Sequence, residues 1–182
     1  MNIIHMSGLV MNVINKMTHK ELVIEATKQL KRWKCYPICS EMVCYTSTGE
    51  IPDAIGWSSN GSILFECKAS RLDFLRDKDK PFRKVKESGM GDFRFYLTNE
   101  GVINSIDEMP DGWGCYEVID GKLKHKFGTK WDNAVPNPFN GNLRNELNMM
   151  RSWIRRNCNG TVLLKNLSVI TTEDLTCEAE KE

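Results

Sequence analysis

Apolar residues recur every fourth position at Leu22, Ala26 and Leu30, the spacing of one helix face, and predict a helix over 18–33. The period then shortens to two. Strands are expected near 37–45, 51–57 and 62–68, and in the last of these Ile63, Phe65 and Cys67 fall on one side and read as core. Ser70, with Asp73 three residues on, opens another helix, which Pro81 either interrupts or restarts. A buried strand follows at 93–98 and a short helix near 101–107. Asp120-Gly121 then marks a hairpin joining strands 113–119 and 122–127. Residues 128–141 are rich in Asn, Pro and Gly and read as a loop. In a last helix, about 142–157, Leu143, Leu147, Met150 and Ile154 form a stripe suited to docking on the sheet. Helices interleaved with strands indicate an α/β architecture. The pattern divides the chain into an appendage (1–16), one domain (17–158) and a tail (159–182), acidic from Glu173 on, expected to be flexible.

Composition narrows this only slightly. The chain of 182 residues is 41% hydrophobic, enough for a core without disulfide or metal staples. Its seven cysteines are odd in number and Cys35-x-x-x-Cys39 stands alone, so reduced thiols are expected rather than a zinc site. No apolar run approaches the ~20 residues of a membrane helix, and the N-terminus lacks the pattern of a signal peptide. A cytoplasmic protein is the expectation.

The chemistry concentrates between residues 50 and 70. Asn60-Gly61 predicts a type I′ turn between two β-prone runs. A two-residue loop there puts Asp53 opposite Lys68. A four-residue loop, 58–61, puts it opposite Glu66. In either register Asp53, Glu66 and Lys68 share one face. Two carboxylates can hold Mg²⁺, a hard ion that also takes water and phosphate oxygens. An ion so held polarises a phosphodiester and activates water. A neighbouring lysine can orient that water or act as a point charge.

The net charge of +1 predicts no polyanionic partner, but its distribution is uneven. Residues 41–66 carry four acids (Glu41, Glu50, Asp53, Glu66) and no Lys or Arg, whereas residues 68–86 carry eight bases against three acids. An acidic pole beside a basic stripe suits metal-dependent work on phosphates.

Pro52-Asp53 with Glu66-Cys67-Lys68 resembles the motif of the PD-(D/E)XK nuclease superfamily. The run Lys68-Ala69-Ser70-Arg71-x-Asp73-Phe74-Leu75-x-Asp77-x-x-Lys80-Pro81-Phe82-Arg83 resembles most the MmcB-like DNA-repair group and its phage-borne relatives. Gly91 to Leu97 and Met109 to Gly114 are similar to later segments of those proteins, and the likeness covers about residues 18–157. It implies a restriction-endonuclease-like αβββαβ core, with a central mixed sheet flanked by helices and a C-terminal hairpin and helix added. It also implies a metal-dependent DNA endonuclease of phage or bacterial repair, recombination or processing. Asp53 and Glu66 would hold Mg²⁺ (or Mn²⁺), assisted by the Cys67 carbonyl, and Lys68 would be catalytic. Ser70, Arg71, Lys80 and Arg83 would contact the DNA backbone, and a homodimer would allow both strands to be cut.

Superfamily members often add a glutamate from the first helix, for which Glu21 is preferred over Glu25 and Glu41. Thr18-x-x-Glu21 equally reads as a capping box, with the glutamate closing its own helix. Trp113 and Trp131 could stack on bases, with a core role the plainer reading. The alternative function is a nuclease-fold module that binds DNA or a host protein without turnover.

Overall fold

The computed structural model describes residues 16–77, 79–132, 136–157, 163–165 and 168–170. Most of the expected N-terminal appendage and tail lies outside these residues. The described part of the tail holds two short strands, β7 (Leu163–Lys165) and β8 (Ser168–Ile170), paired antiparallel.

Helix α1 spans His19–Arg32. It is followed by β1 (Ile38–Ser40), β2 (Ala54–Ser58), β3 (Gly61–Lys68), α2 (Arg71–Asp77), α3 (Pro81–Lys84), β4 (Phe93–Asn99), β5 (Gly114–Ile119), β6 (Lys122–Gly128) and α4 (Leu143–Asn157). The first six strands form one mixed sheet in sequential order, β3–β4–β5 parallel and the other pairs antiparallel. Alternation along β3 and β4 sorts the two sides. Ile63, Phe65, Cys67, Phe93, Phe95 and Leu97 pack with Leu22, Ala26 and Leu30 of α1. Leu64 and Tyr96 pack on the other side with Phe74 of α2 and Met149 of α4. The sheet is therefore covered on both faces, and the polar members of β3, Glu66 and Lys68, share the α2/α4 side with Leu64.

Several expectations need correction. The β2–β3 register pairs Trp57 with Ser62 and Ser58 with Gly61, so Asp53 stands opposite Glu66, as the 58–61 alternative requires. Among the described residues Ser59 and Asn60 lack the positive φ of a type I′ turn. Gly61 carries it, at 121°. Asp92 Oδ2 accepts from the Ser62 N–H at 2.9 Å and fixes that register. The first strand is three residues long, because Glu41 adopts a left-handed φ of 46° and breaks the extension. The helix expected at 101–107 is reduced to a 3₁₀ turn at Ile106–Glu108 capped by Ser105. The Asp120-Gly121 hairpin forms as expected, with positive φ at both residues.

Helix α4 docks by a face adjoining the one its apolar stripe predicts, with Met150 of that stripe half-buried. Leu143, Leu147 and Ile154 are exposed, while Asn145, Glu146 and Met149 are buried. Glu146 accepts from Trp57 Nε1 (2.8 Å), the Ser62 hydroxyl (2.9 Å) and the Gly91 N–H (2.9 Å). Asn145 Oδ1 accepts from the Ser47 N–H at 2.9 Å and its amide donates to Thr48 at 3.2 Å. Hydrogen bonds to a buried carboxylate and amide thus hold this face, and turning it outward would strand the Trp57, Ser62 and Gly91 donors without their acceptor. Trp113 and Trp131 are both buried. Trp113 stacks on Tyr96 at 4.6 Å between centroids, which assigns it to the core.

Candidate active site

The acidic end of the β2–β3 pair brings together the three residues singled out in the sequence. Asp53, just before β2, accepts from the Cys67 N–H through Oδ2 at 2.6 Å. Its other oxygen, Oδ1, lies 3.5 Å from His19 Nε2 at the start of α1. Glu66 and Lys68 project from β3 into the interior, with Lys68 Nζ 3.1 Å from Glu66 Oε2.

Around them lies a buried network that sequence reasoning missed. Asp77, the last residue of α2, is 3.1 Å from Lys68 Nζ and 2.7 Å from Lys80 Nζ. It also accepts from Arg83 Nε at 2.8 Å and from the Tyr96 hydroxyl at 2.9 Å. Arg83 reaches three carboxylates: Asp77, Glu66 Oε1 at 2.7 Å and Glu50 Oε1 at 3.0 Å. Glu50 in turn accepts from the Met90 N–H at 2.7 Å. The guanidinium sits 4.6 Å above the Trp113 ring. The signal for this was present in the run Asp77-x-x-Lys80-x-x-Arg83. Its bases are expected as a DNA-facing stripe, whereas α2 and α3 turn Arg83 inward and bring Lys80 onto Asp77.

Consequently the expected DNA contacts are redistributed. The Arg83 side chain is only 2% exposed and is corrected from a phosphate contact to the hub of the network. Arg71 forks onto Glu108 and also donates to the Val102 carbonyl, and Ser70 caps α2 by accepting from the Asp73 N–H. Lys80 remains 40% exposed while its Nζ pairs with Asp77 at 2.7 Å and lies 3.5 Å from Glu66. Glu21 closes the capping box, accepting from the Thr18 N–H at 2.7 Å and from its hydroxyl at 2.8 Å. The residue that α1 turns toward Asp53 is instead His19. Glu41 also meets that imidazole at 3.6 Å, and Glu25 is paired with Lys28.

Electrostatics divide the cluster. Burial alone would raise Glu66, but Arg83, Lys68 and Lys80 outweigh it and hold its carboxyl below the usual range. Asp77 is held low in the same way by Arg83 and Lys68. Burial alone would lower Lys68, yet Glu66, Asp77 and Asp53 keep its ammonium charged well beyond neutral pH. Asp53 differs. Burial and the nearby Glu66 charge push it up to about 6, with only partial relief from Lys68 and the Cys67 N–H. Burial therefore disfavours the ionised form of Asp53 more than its neighbours relieve it. The Cys67 thiol, buried beside Asp53 and Glu66, is pushed far up and stays neutral.

Among the described residues no group of three or more His, Cys, Asp or Glu side chains forms a ready-made metal cluster. The donors do suit Mg²⁺, which needs only one or two carboxylates. The Glu66 Oε1 atom is buried without an aligned hydrogen-bond donor, since Arg83 approaches it off axis. Among the described residues Asp53 Oδ1 meets the His19 imidazole at 3.5 Å.

No family model and no curated protein matches this chain. Among solved structures it is similar to SPO1766, a protein of unknown function from Silicibacter pomeroyi. The identity is 14% and the TM-score 0.48, over 82% of this chain and 99% of that one. No described helix is long and apolar enough to cross a membrane.

Proposed function

We propose that the protein is a divalent-metal-dependent nuclease of the PD-(D/E)XK type, hydrolysing phosphodiester bonds of DNA in phage or bacterial repair, recombination or processing. The observation that carries this reading is the meeting of Asp53, Glu66 and Lys68 at one end of β2–β3. The order α1, three strands, α2/α3, β4 agrees with the αβββαβ core expected for such a nuclease.

Asp53 and Glu66 would hold the ion, Mg²⁺ or Mn²⁺. When bound, it supplies Lewis-acid polarisation of the scissile phosphate and activation of the attacking water. Lys68 contributes as a cation only. Held protonated between Glu66 and Asp77, it cannot take up a proton, so it stabilises negative charge developing on the phosphate and orients the nucleophile. Asp77 positions the Lys68 ammonium, and Tyr96 and Arg83 fix Asp77 in turn. Lys80, half open to solvent beside the same carboxylates, is the network cation best placed to meet a phosphate.

The second reading, a non-catalytic module that binds DNA or a protein, draws on one observation: Arg83 and Lys68 already neutralise Glu66 internally. Cleavage of a panel of plasmid, linear duplex, single strand, branched DNA and RNA separates the two. The assays would contain Mg²⁺, Mn²⁺ or EDTA, with folded Glu66→Ala and Lys68→Ala variants alongside. Metal-dependent cutting lost in both variants is expected. Folded wild type that cuts nothing yet binds DNA or a protein without metal would overturn the nuclease in favour of the module.

A further inference from the structure

Helix α4 carries a cationic edge without an ion-pair partner among the described residues. Arg144, Arg151 and Arg155, seven and four residues apart, lie on one face, and among the described residues none has a carboxylate within ion-pair distance. The only acid of the helix, Glu146, is buried and points the other way. Across from this edge runs the segment from Glu41 to Tyr45, which joins β1 to the Asp53 loop. Between helix and segment lies a cavity of about 280 Å³ lined by Tyr45, Asn148, Arg151, Ser152 and Arg155 among others. Arg156 is fixed at its border by donating to the Val43 carbonyl. The same Arg156 lines a second cavity, of about 490 Å³, that extends along Met42 to Glu41. Glu41 reaches the candidate site directly: its N–H donates to the Asp53 carbonyl at 3.1 Å and its carboxylate meets His19, which faces Asp53.

We propose that these two cavities form a track for single-stranded nucleic acid leading to the Asp53–Glu66 site. Three observations select that ligand. Arg151, Arg155 and Arg156 answer a polyanion along a line rather than at a point. Tyr45 holds its ring 83% exposed beside them, with Val43 also exposed. An exposed aromatic platform gains by stacking on a free base face, which a single strand offers and a duplex hides. The scale also fits: the four steps from Glu41 to Tyr45 span at most ~14 Å, about four phosphates at the 3.4 Å spacing of a stacked strand. Tyr45 and the arginines therefore grip the strand a few nucleotides from the reacting phosphate. The function of the track in presenting a strand for cutting rests on the nuclease reading, whereas the binding itself does not.

Fluorescence anisotropy with a labelled DNA strand, the same strand as RNA, and the DNA duplex, all in EDTA and over a series of salt concentrations, tests this apart from cleavage. The variants are Tyr45→Ala, the double Arg151→Ala/Arg155→Ala, and a charge-matched control on the far edge strand, Lys122→Ala/Lys124→Ala. All sit at the surface and are checked for unchanged thermal unfolding. Tighter binding of a single strand than of duplex is expected. Tyr45→Ala should weaken it about five- to 150-fold, and the arginine double variant should lower the salt slope by about 1.4, with the control unchanged. The DNA and RNA arms tell which sugar is preferred. Duplex bound as tightly as single strand, or equal losses in the control, would overturn the track. If the wild type cuts nothing while these variants still lose the strand, the nuclease reading fails and the track stands. If it cuts a strand and the variants bind and cut as well as wild type, the reverse holds.

Discussion

Asp53→Asn should make the metal-free protein more stable while removing its activity. The Asp53 side chain is 16% exposed, and burial together with Glu66 moves its carboxyl from 3.8 to about 6, equivalent to about 3 kcal/mol. Because the folded state then binds the proton more tightly than the unfolded chain, stability falls as pH rises from about 4 to about 6, and the full penalty persists above that window. Asparagine removes the charge and keeps an oxygen for the Cys67 N–H, at a loss of about 1 kcal/mol for a neutral acceptor. The net gain of about 2 kcal/mol corresponds to about 4–8 °C in Tm for a domain of this size. Thermal unfolding at pH 7.5 in EDTA measures it. Repeating the comparison near pH 4, where wild-type Asp53 is already protonated, should shrink the gain toward zero. An Asp53→Asn protein that melts at or below wild type at pH 7.5, or that gains equally at both pH values, would refute the account of a carboxyl raised by burial and Glu66. Mg²⁺ or Mn²⁺ should stabilise wild type by about 2.7 kcal/mol at a hundredfold excess over Kd, and Asp53→Asn should lose most of that response.

Other substitutions separate the network from the chemistry. Arg83→Met takes from Glu50 the cation that pairs with it among the described residues and leaves Glu66 and Asp77 to Lys68 and Lys80, and should cost about 3–5 kcal/mol, read as a lowered urea midpoint. A near-neutral result would mean that the three carboxylates find other partners. Asp77→Asn should slow cleavage while leaving metal-induced stabilisation largely intact, since it acts on Lys68 rather than on the ion. Equal loss of both would make Asp77 a metal ligand instead. Arg71→Ala should leave DNA affinity and its salt dependence unchanged, because its guanidinium is engaged by Glu108, and a reduced salt slope would restore it to the DNA-binding surface. On acidification Glu66 and Asp77, both held low, contribute stability that is present above the ordinary carboxylate range and lost as pH falls below it. That loss runs opposite to the Asp53 effect, and stability measured from pH 3 to 7 should rise and then decline.

What was legible in the chain follows from which physical rule governs each position. Ile63, Phe65 and Cys67 were assigned to the core because strict alternation leaves no other side for them. The common face of Asp53, Glu66 and Lys68 followed from parity alone and survived the uncertainty of the turn. The register itself was harder to read, because it depends on which of Asn60 and Gly61 takes the positive φ, and on Asp92 thirty residues away. The docking face of α4 was misread for a different reason. Hydrophobic periodicity registers aliphatic residues, whereas Asn145 and Glu146 are buried by particular donors from Ser47, Trp57, Ser62 and Gly91. The inward turn of Arg83 and the pairing of Lys80 with Asp77 have the same origin. A run of bases looks like a surface stripe until the chain folds Glu50, Glu66 and Asp77 beneath it.

The anchoring of the 46–50 loop by Asn145 also bears on the order in which a newly made chain acquires this site. Asp53, Glu66 and Lys68 are all synthesised by residue 68, but the last clamp on the loop leading to Asp53 arrives ninety-odd residues after that aspartate. At ribosomal speeds of about 5–20 residues per second, that delay lasts on the order of 5–20 seconds. During it the nascent chain carries its acids without the helix that holds them in register. On the nuclease reading proposed above, hydrolytic competence would wait for α4, and truncated chains ending before that helix should leave nucleic acids uncut.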